Sequence, residues 1–405
     1  MAVGESVLPV LNPIKGVRIG TAQAGIKYPN KTDLVVFELS ENSSLAASFT
    51  QNRFCAAPVQ LCRQHLATHV PRYLLINTGN ANAGTGRQGL LDAQKSCQAV
   101  AEQLKVEPET VLPFSTGVIG ELLPMDEFEA AIPAALLDFN EDHWVQAASG
   151  ILTTDTRPKG SSVKVELAGE VVTITGISKG SGMIKPNMAT MLAYIATDAE
   201  IAPELLQRLH QAAVESSFNR ITVDSDTSTN DSCILIATGQ SKVLVSEEDD
   251  LTLNLFTQAL QAVYKELAQA IVLDGEGATK FMTVTVKGGR DKQECLEVAY
   301  TIAHSPLVKT AFFASDPNWG RILAAIGRAP VDELDVDNIA VYLDQVCIVK
   351  AGGVNPDYQE YMGQAVMDQE RITITVELGR GNAQETVWTS DLSHDYIRIN
   401  AEYRS

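Results

Sequence analysis

The stretch EVVTITGISKGSGMIKPNMATMLAYIATDAE, residues 170–200, decides how the chain is read. Two apolar runs, one rich in β-branched residues and one formed by Met191-Leu192-Ala193-Tyr194-Ile195-Ala196, flank a polar loop with Gly180, Gly182 and Pro186. Two strands around a loop are expected. The loop ends on Ala189-Thr190, so a threonine opens a core-like strand. A threonine hydroxyl is a weak nucleophile until its proton is removed. Cutting the peptide bond before Thr190 would free its own α-amine, with an unperturbed pKa of ~7.7–8.0, as the base. A stiff χ1 helps fix Oγ against that amine. The same hydroxyl can make the cut: Oγ attacks the Ala189 carbonyl, the acyl group shifts from N to O, and water releases the ester. The glycines and Pro186 allow the unusual backbone this needs. By residue type alone this is one reading among several, because threonines at strand starts are structural in most proteins.

The chain has 405 residues, enough for two or three domains or one interwoven α/β unit. Its net charge of −19, with no Lys/Arg block, argues against nucleic acid as a partner and suits a soluble acidic surface. No apolar run approaches the ~20 residues of a membrane span. The N-terminus, MAVGESVLPVLNPIKG, lacks a basic start followed by a long apolar stretch, so no signal peptide is expected. The six cysteines form no C-x-x-C pair and are expected to be reduced, mostly buried thiols of a cytoplasmic protein.

Working outward, strands are expected at 33–41, 72–77, 110–116, 281–286, 338–344, 372–378 and 386–390, and strand–polar loop–strand at 221–239. Helices are expected at 57–69, 90–106, 203–219 and from 255 onward, where Phe256, Leu260, Val263, Leu267 and Ile271 share one face. In 33–41, Val35, Phe37 and Leu39 alternate, but Val36 is apolar on the opposite face. The mixture implies an α/β or α+β class, with no linker separating two compositions.

Other candidate motifs are weak. Gly84-Thr-Gly86-Arg-Gln-Gly89 matches G-x-G-x-x-G, yet Gly84 comes seven residues after Asn77, too far for a tight phosphate turn. Cys62, His65 and His69 have metal-ligand spacing without a nearby fourth donor. Asp224, Asp226, Asn230 and Asp231 crowd one loop, but Thr229 and Leu235 stand where a calcium loop needs Gly and Glu, so side-chain to backbone bonds are expected there. No Walker-type loop or G-x-S-x-G elbow occurs.

KGSGMIKPNMATMLAYIATDA (179–199) resembles the self-processing motif of the ornithine acetyltransferase family, the bifunctional glutamate N-acetyltransferases of arginine biosynthesis. INTGNANAGTG (76–86), FSTGVIGELLP (114–124), TVDSDTSTND (222–231), SDPNWGRI (315–322) and YIRINAEYRS (396–405) are similar to that family too. The resemblance implies a layered mixed α/β sandwich built jointly by an alpha fragment, 1–189, and a beta fragment, 190–405, after a cut between Ala189 and Thr190. It implies Thr190 as nucleophile and Thr116-Gly117 as oxyanion hole. Thr153, Lys179, Thr190, Glu276, Asn400 and Ser405 are its implied substrate-binding residues. The implied reaction moves acetyl from N2-acetyl-L-ornithine to L-glutamate, with acetyl-CoA an optional donor, no metal or organic cofactor, and two copies of each fragment. Two rival readings remain. One is an N-terminal-nucleophile amidase or aminopeptidase that hands the acyl group to water. The other is a non-catalytic metabolite-binding or scaffold protein that never cuts itself.

Overall fold

The computed structural model describes residues 2–5, 7–185 and 191–402. Ala189, Thr190 and Ser405 lie outside them. The chain forms two compact units. The larger comprises Val7–Asn219 and Asp226–Ile271, the smaller Met1–Ser6, Arg220–Ser225 and Val272–Ser405. Each unit therefore draws on sequence from both sides of residue 190. Composition hides this division because the chain crosses between units at several points.

Two large sheets form the body of the larger unit, beside a two-stranded one that pairs Glu200–Ile201 with Leu244–Val245. In the first, β1 (Val17–Ala22), β2 (Leu34–Leu39), β4 (Tyr73–Asn80) and β5 (Val111–Val118) lie in that order, antiparallel except for the parallel β4/β5 pair. The second runs β3 (Ser44–Phe49), β9 (Ser232–Ala237), β8 (Leu192–Thr197), β7 (Glu170–Lys179), β6 (Lys159–Leu167). Phe37, Leu74, Ile76 and Phe114 of the first sheet share a core with Ile177, Leu192, Tyr194 and Ile234 of the second. The rings of Phe37 and Phe114 lie 5.4 and 5.3 Å from Tyr194.

The outer face of the first sheet, carrying Leu34, Val36 and Leu75, packs against α2 (Gly86–Leu104) and α3 (Met125–Leu137). Central strands of such a sandwich are buried on both faces, which is why Val36 breaks the alternation of β2. On the far side of the second sheet run α5 (Pro203–Ser216) and α6 (Asp250–Leu273). There the Ser178 hydroxyl donates to Leu267 O, and His210 bonds both Ser48 Oγ and Tyr264 OH. The unit is thus a layered mixed α/β sandwich. The loop expected between two strands at 170–200 joins neighbours, since β7 and β8 pair antiparallel out to Lys179↔Leu192.

In the smaller unit, β10 (Phe281–Gly289), β11 (Ala340–Leu343), β12 (Val346–Lys350), β13 (Arg371–Glu377) and β14 (Ala383–Ser390) belong to a seven-stranded sheet. The alternation of RITITVE puts Ile372, Ile374 and Val376 under α7 (Lys292–Ala303) and α9 (Trp319–Gly327). Four of the six cysteines are buried.

The Tyr194 hydroxyl is buried in the inter-sheet core without a hydrogen bond. An unpaired buried hydroxyl costs about 1–3 kcal/mol. Tyr194→Phe should therefore raise the thermal midpoint, with a gain of about 1 kcal/mol. Calorimetry that finds the variant less stable would show the hydroxyl to be satisfied.

Candidate active site

Three of the expected site residues meet around one lysine. Lys179 ends β7 and is 3% exposed. Its Nζ donates to Thr153 Oγ1 at 2.8 Å and to Thr116 Oγ1 at 3.2 Å. A hydroxyl that accepts from an ammonium keeps its own proton free to donate, so Thr116 is presented as a donor. Thr116 and Gly117 lie at the end of β5, where the register with β4 shifts at Gly79 and Asn80. Gly117 has φ +141°, and a Cβ there would lie 2.2 Å from Gly79 C and 2.5 Å from Asn80 N. The close approach of two strands therefore requires glycine.

Lys179 needs a counter-charge once buried. Asp155 supplies that charge. Its carboxylate, with a fully buried side chain, accepts from Lys159 Nζ at 2.6 Å and from Gly180 N at 2.7 Å, and lies 3.9 Å from Lys179 Nζ. It also takes the Thr153 N–H at 3.1 Å. Burial pushes the carboxyl up, but Lys159, Lys179 and the Gly180 N–H outweigh it and hold the group well below the usual carboxylate range. Asp155 was missed in the sequence. Its available signal was an acid two residues after Thr153 in a polar loop, next in space to a lysine that no solvent reaches.

In the smaller unit, Glu276 and Asn400 are brought together. Glu276 sits in the loop after α6, and Asn400 lies on α11 (His394–Ala401) and donates to Glu276 Oε2 at 2.8 Å. Ser393 caps α11 and donates to Gly277 O at 2.6 Å, which ties the loop to the helix. Gly277, at φ +69°, leaves room for Tyr396 N, 2.5 Å from where its Cβ would stand. Glu276, at 8% exposure, is a carboxylate withdrawn from bulk water.

The weaker motifs have structural uses. Gly86 and Gly89 fall in the first turn of α2, and a Cβ on Gly89 would strike Thr85 Oγ1 at 1.9 Å. The glycine run therefore packs a helix start. Cys62 and His65, on α1 (Ala57–Leu66), bond the carbonyls of Pro113 and Val111. No cluster of metal-ligating side chains is found among the described residues.

The model of the ArgJ family matches residues 18–405. The chain belongs to the ArgJ family. It is 56% identical over 408 residues, the full length of both, to the arginine biosynthesis bifunctional protein ArgJ of Pseudomonas fluorescens. The solved ArgJ of Bacillus halodurans is 38% identical over 50% of this chain and 95% of its own, with a TM-score of 0.48. The ornithine acetyltransferase of Mycobacterium tuberculosis, solved with ornithine, is 31% identical over 44% of this chain and 95% of its own, with a TM-score of 0.38. As an ArgJ-family member the chain is an enzyme, an acyltransferase of arginine biosynthesis.

Asp155→Asn removes the charge that anchors Lys179 and Lys159. It should cost about 3 kcal/mol at neutral pH, as breaking a buried pair does. Because the folded carboxyl titrates below its unfolded value of ~3.9, its contribution is complete above that pH and disappears as pH falls further. The stability gap between wild type and variant should therefore narrow below pH ~4, which urea unfolding at neutral and acid pH measures. Gly117→Ala should lose most acetyl transfer and lower the melting point, since β4 and β5 must separate to admit the methyl group. An active, fully stable alanine variant would contradict the close approach.

Proposed function

We propose that this protein cuts itself between Ala189 and Thr190 and then moves acetyl from N2-acetyl-L-ornithine to L-glutamate through an acetyl-threonyl ester. The observation that carries the reading is the meeting of Thr116, Thr153 and Lys179, three residues distant in sequence that the family motif singled out separately. The names of the full-length relatives, which place them in arginine biosynthesis, support it.

In the proposed cycle Thr190 Oγ attacks the acetyl carbonyl and passes its proton to the α-amine of the same residue. The Thr116 hydroxyl and the Gly117 N–H receive the oxyanion, with the Lys179 ammonium 3.2 Å from Thr116 Oγ1. The C–N bond breaks, the departing ornithine amine takes the proton back, and the ester remains on Thr190. Glutamate's amine then attacks that ester and Oγ regains a proton. Lys179 and Thr153 suit a substrate carboxylate, and Glu276 with Asn400 suits an ammonium group. Ser405 is assigned to substrate binding by family resemblance. Acetyl-CoA as an alternative donor, two copies of each fragment and a cytoplasmic location belong to the same reading. No helix among the described residues is long and apolar enough to cross a membrane.

Purified wild type should run as two bands of roughly half size on a denaturing gel, one of them starting Thr-Met-Leu-Ala. Thr190→Ala should run as one band and transfer no acetyl. Activity should rise with pH through the α-amine range of ~7.7–8.0, because only the neutral amine accepts a proton. Intact wild type that still transfers acetyl would overturn the mechanism. Release of acetate with no acetylglutamate would reassign the enzyme as an amidase.

A further inference from the structure

The crowded polar loop before β9 has no part in the chemistry described so far, yet its last two side chains reach two different strand ends of the larger unit. Asn230 Nδ2 donates to Ala81 O at 2.6 Å and to Ser115 O at 2.9 Å. Ser115 immediately precedes Thr116. Asp231 Oδ1 accepts from Met191 N at 2.9 Å, and Met191 immediately follows Thr190. Ser232 N then donates to Met191 O at 3.1 Å, where the parallel β9/β8 ladder opens with Ser232↔Leu192. The Asp231 side chain therefore adds one acceptor to the start of that ladder.

The loop's own backbone is fixed. Thr50 N donates to Asp231 O at 3.0 Å, Ala56 N to Thr229 O at 2.9 Å, and Thr50 Oγ1 to Ser228 O at 2.7 Å. Asn230 Oδ1 accepts from Thr229 Oγ1, so both ends of its amide are used.

We propose that Asn230 and Asp231 are positioning residues that set the spacing between the oxyanion pair Thr116-Gly117 and the nucleophile. Asn230 holds the strand end that carries the pair, and Asp231 holds the strand end that begins with residue 191. The inference rests on Thr190 as nucleophile, the reading given above. Adjacent residues of one rigid loop are well suited to this task, because their separation is set by covalent geometry. The Asp231 carboxyl is fully buried, and its Oδ2 makes no hydrogen bond among the described residues. Burial pushes the acid well above the usual carboxylate range, against the pull of the Met191 N–H, Lys179 and the Ser228 hydroxyl. An apolar residue would fill the same space without an orphan oxygen, so the acceptor at Oδ1 is what the position retains.

Misplacing a reacting atom by about 1 Å can cost on the order of 10²-fold in rate. Asp231→Ala should therefore slow self-cleavage, and its processed fraction should show kcat for acetyl transfer lowered at least ~10-fold with KM for N-acetylornithine within ~3-fold. Asp231→Asn keeps a carbonyl acceptor and should recover most of both rates. Asn230→Asp, of the same size but without the two donors, should resemble Asp231→Ala. Should Asp231→Ala fail to fold, the Asn variants decide. A folded Asp231→Asn that neither cleaves nor transfers, or an Asp231→Ala with wild-type rates, overturns the proposal. Wild type and Thr190→Ala run alongside keep the two readings separate. If wild type never cleaves, the nucleophile assignment fails; if it cleaves and the loop variants match it, only the spacing role fails.

Discussion

One buried charge organises the larger unit's site. Lys179 stands at a strand end where no solvent compensates its ammonium, and Asp155 balances it while also binding Lys159, Gly180 N and Thr153 N. A single carboxylate thus fixes the turn at Thr153, the exit of β7 and, through Lys179, the rotamer of Thr116. Both lysines lean on this carboxylate within a chain whose net charge is −19. A buried ammonium at this position suits both the substrate carboxylate and the developing oxyanion of the acyl transfer proposed above. The low dielectric that makes the lysine costly to bury also makes its field strong where it matters.

The smaller unit solves a complementary problem with the opposite sign. Among the described residues Glu276 is buried beside the neutral amide of Asn400, which suits the ammonium-binding role proposed for it. The helix that carries Asn400 has no buried residues of its own. It is held by the Ser393 cap, by the bond to Gly277 O and by Tyr396 OH on Asp224 Oδ2. Polar contacts rather than packing therefore set where Asn400 stands.

How much of this the sequence discloses follows from burial and periodicity. The strand at 33–41 and the two at 170–200 announce themselves as apolar runs between turn residues, and the long amphipathic α6 by its helical period. α11 does not, having no apolar stripe to display. β6 is an edge strand of mixed polarity, and α3 carries Pro133 in its interior, so neither offers a regular pattern. In the site, Thr116, Thr153 and Lys179 were legible only through family motifs, since isolated threonines and lysines are common on surfaces. Asp155 bonds Thr153 and Lys159 nearby, but its reach to Lys179 and Gly180, like that of Asn230 and Asp231 to their partners, spans residues far apart in the chain, which no local spacing encodes. The division into two units was hidden for the same reason: it depends on contacts between segments hundreds of residues apart.

The antiparallel partnership of β7 and β8, with β9 on the other flank of β8, bears on what the proposed cut before Thr190 would leave behind. A cut in the link between these strands, as proposed, would leave every rung of the ladder in place, so the two pieces would be born already docked and would never meet by diffusion. Dilution alone would not part them. Once melted apart, however, they would have to find each other again as separate molecules, without the tether that guided the first folding, and heat damage would become hard to reverse. The molecule would then be durable through the height of its unfolding barrier rather than through any capacity to reassemble.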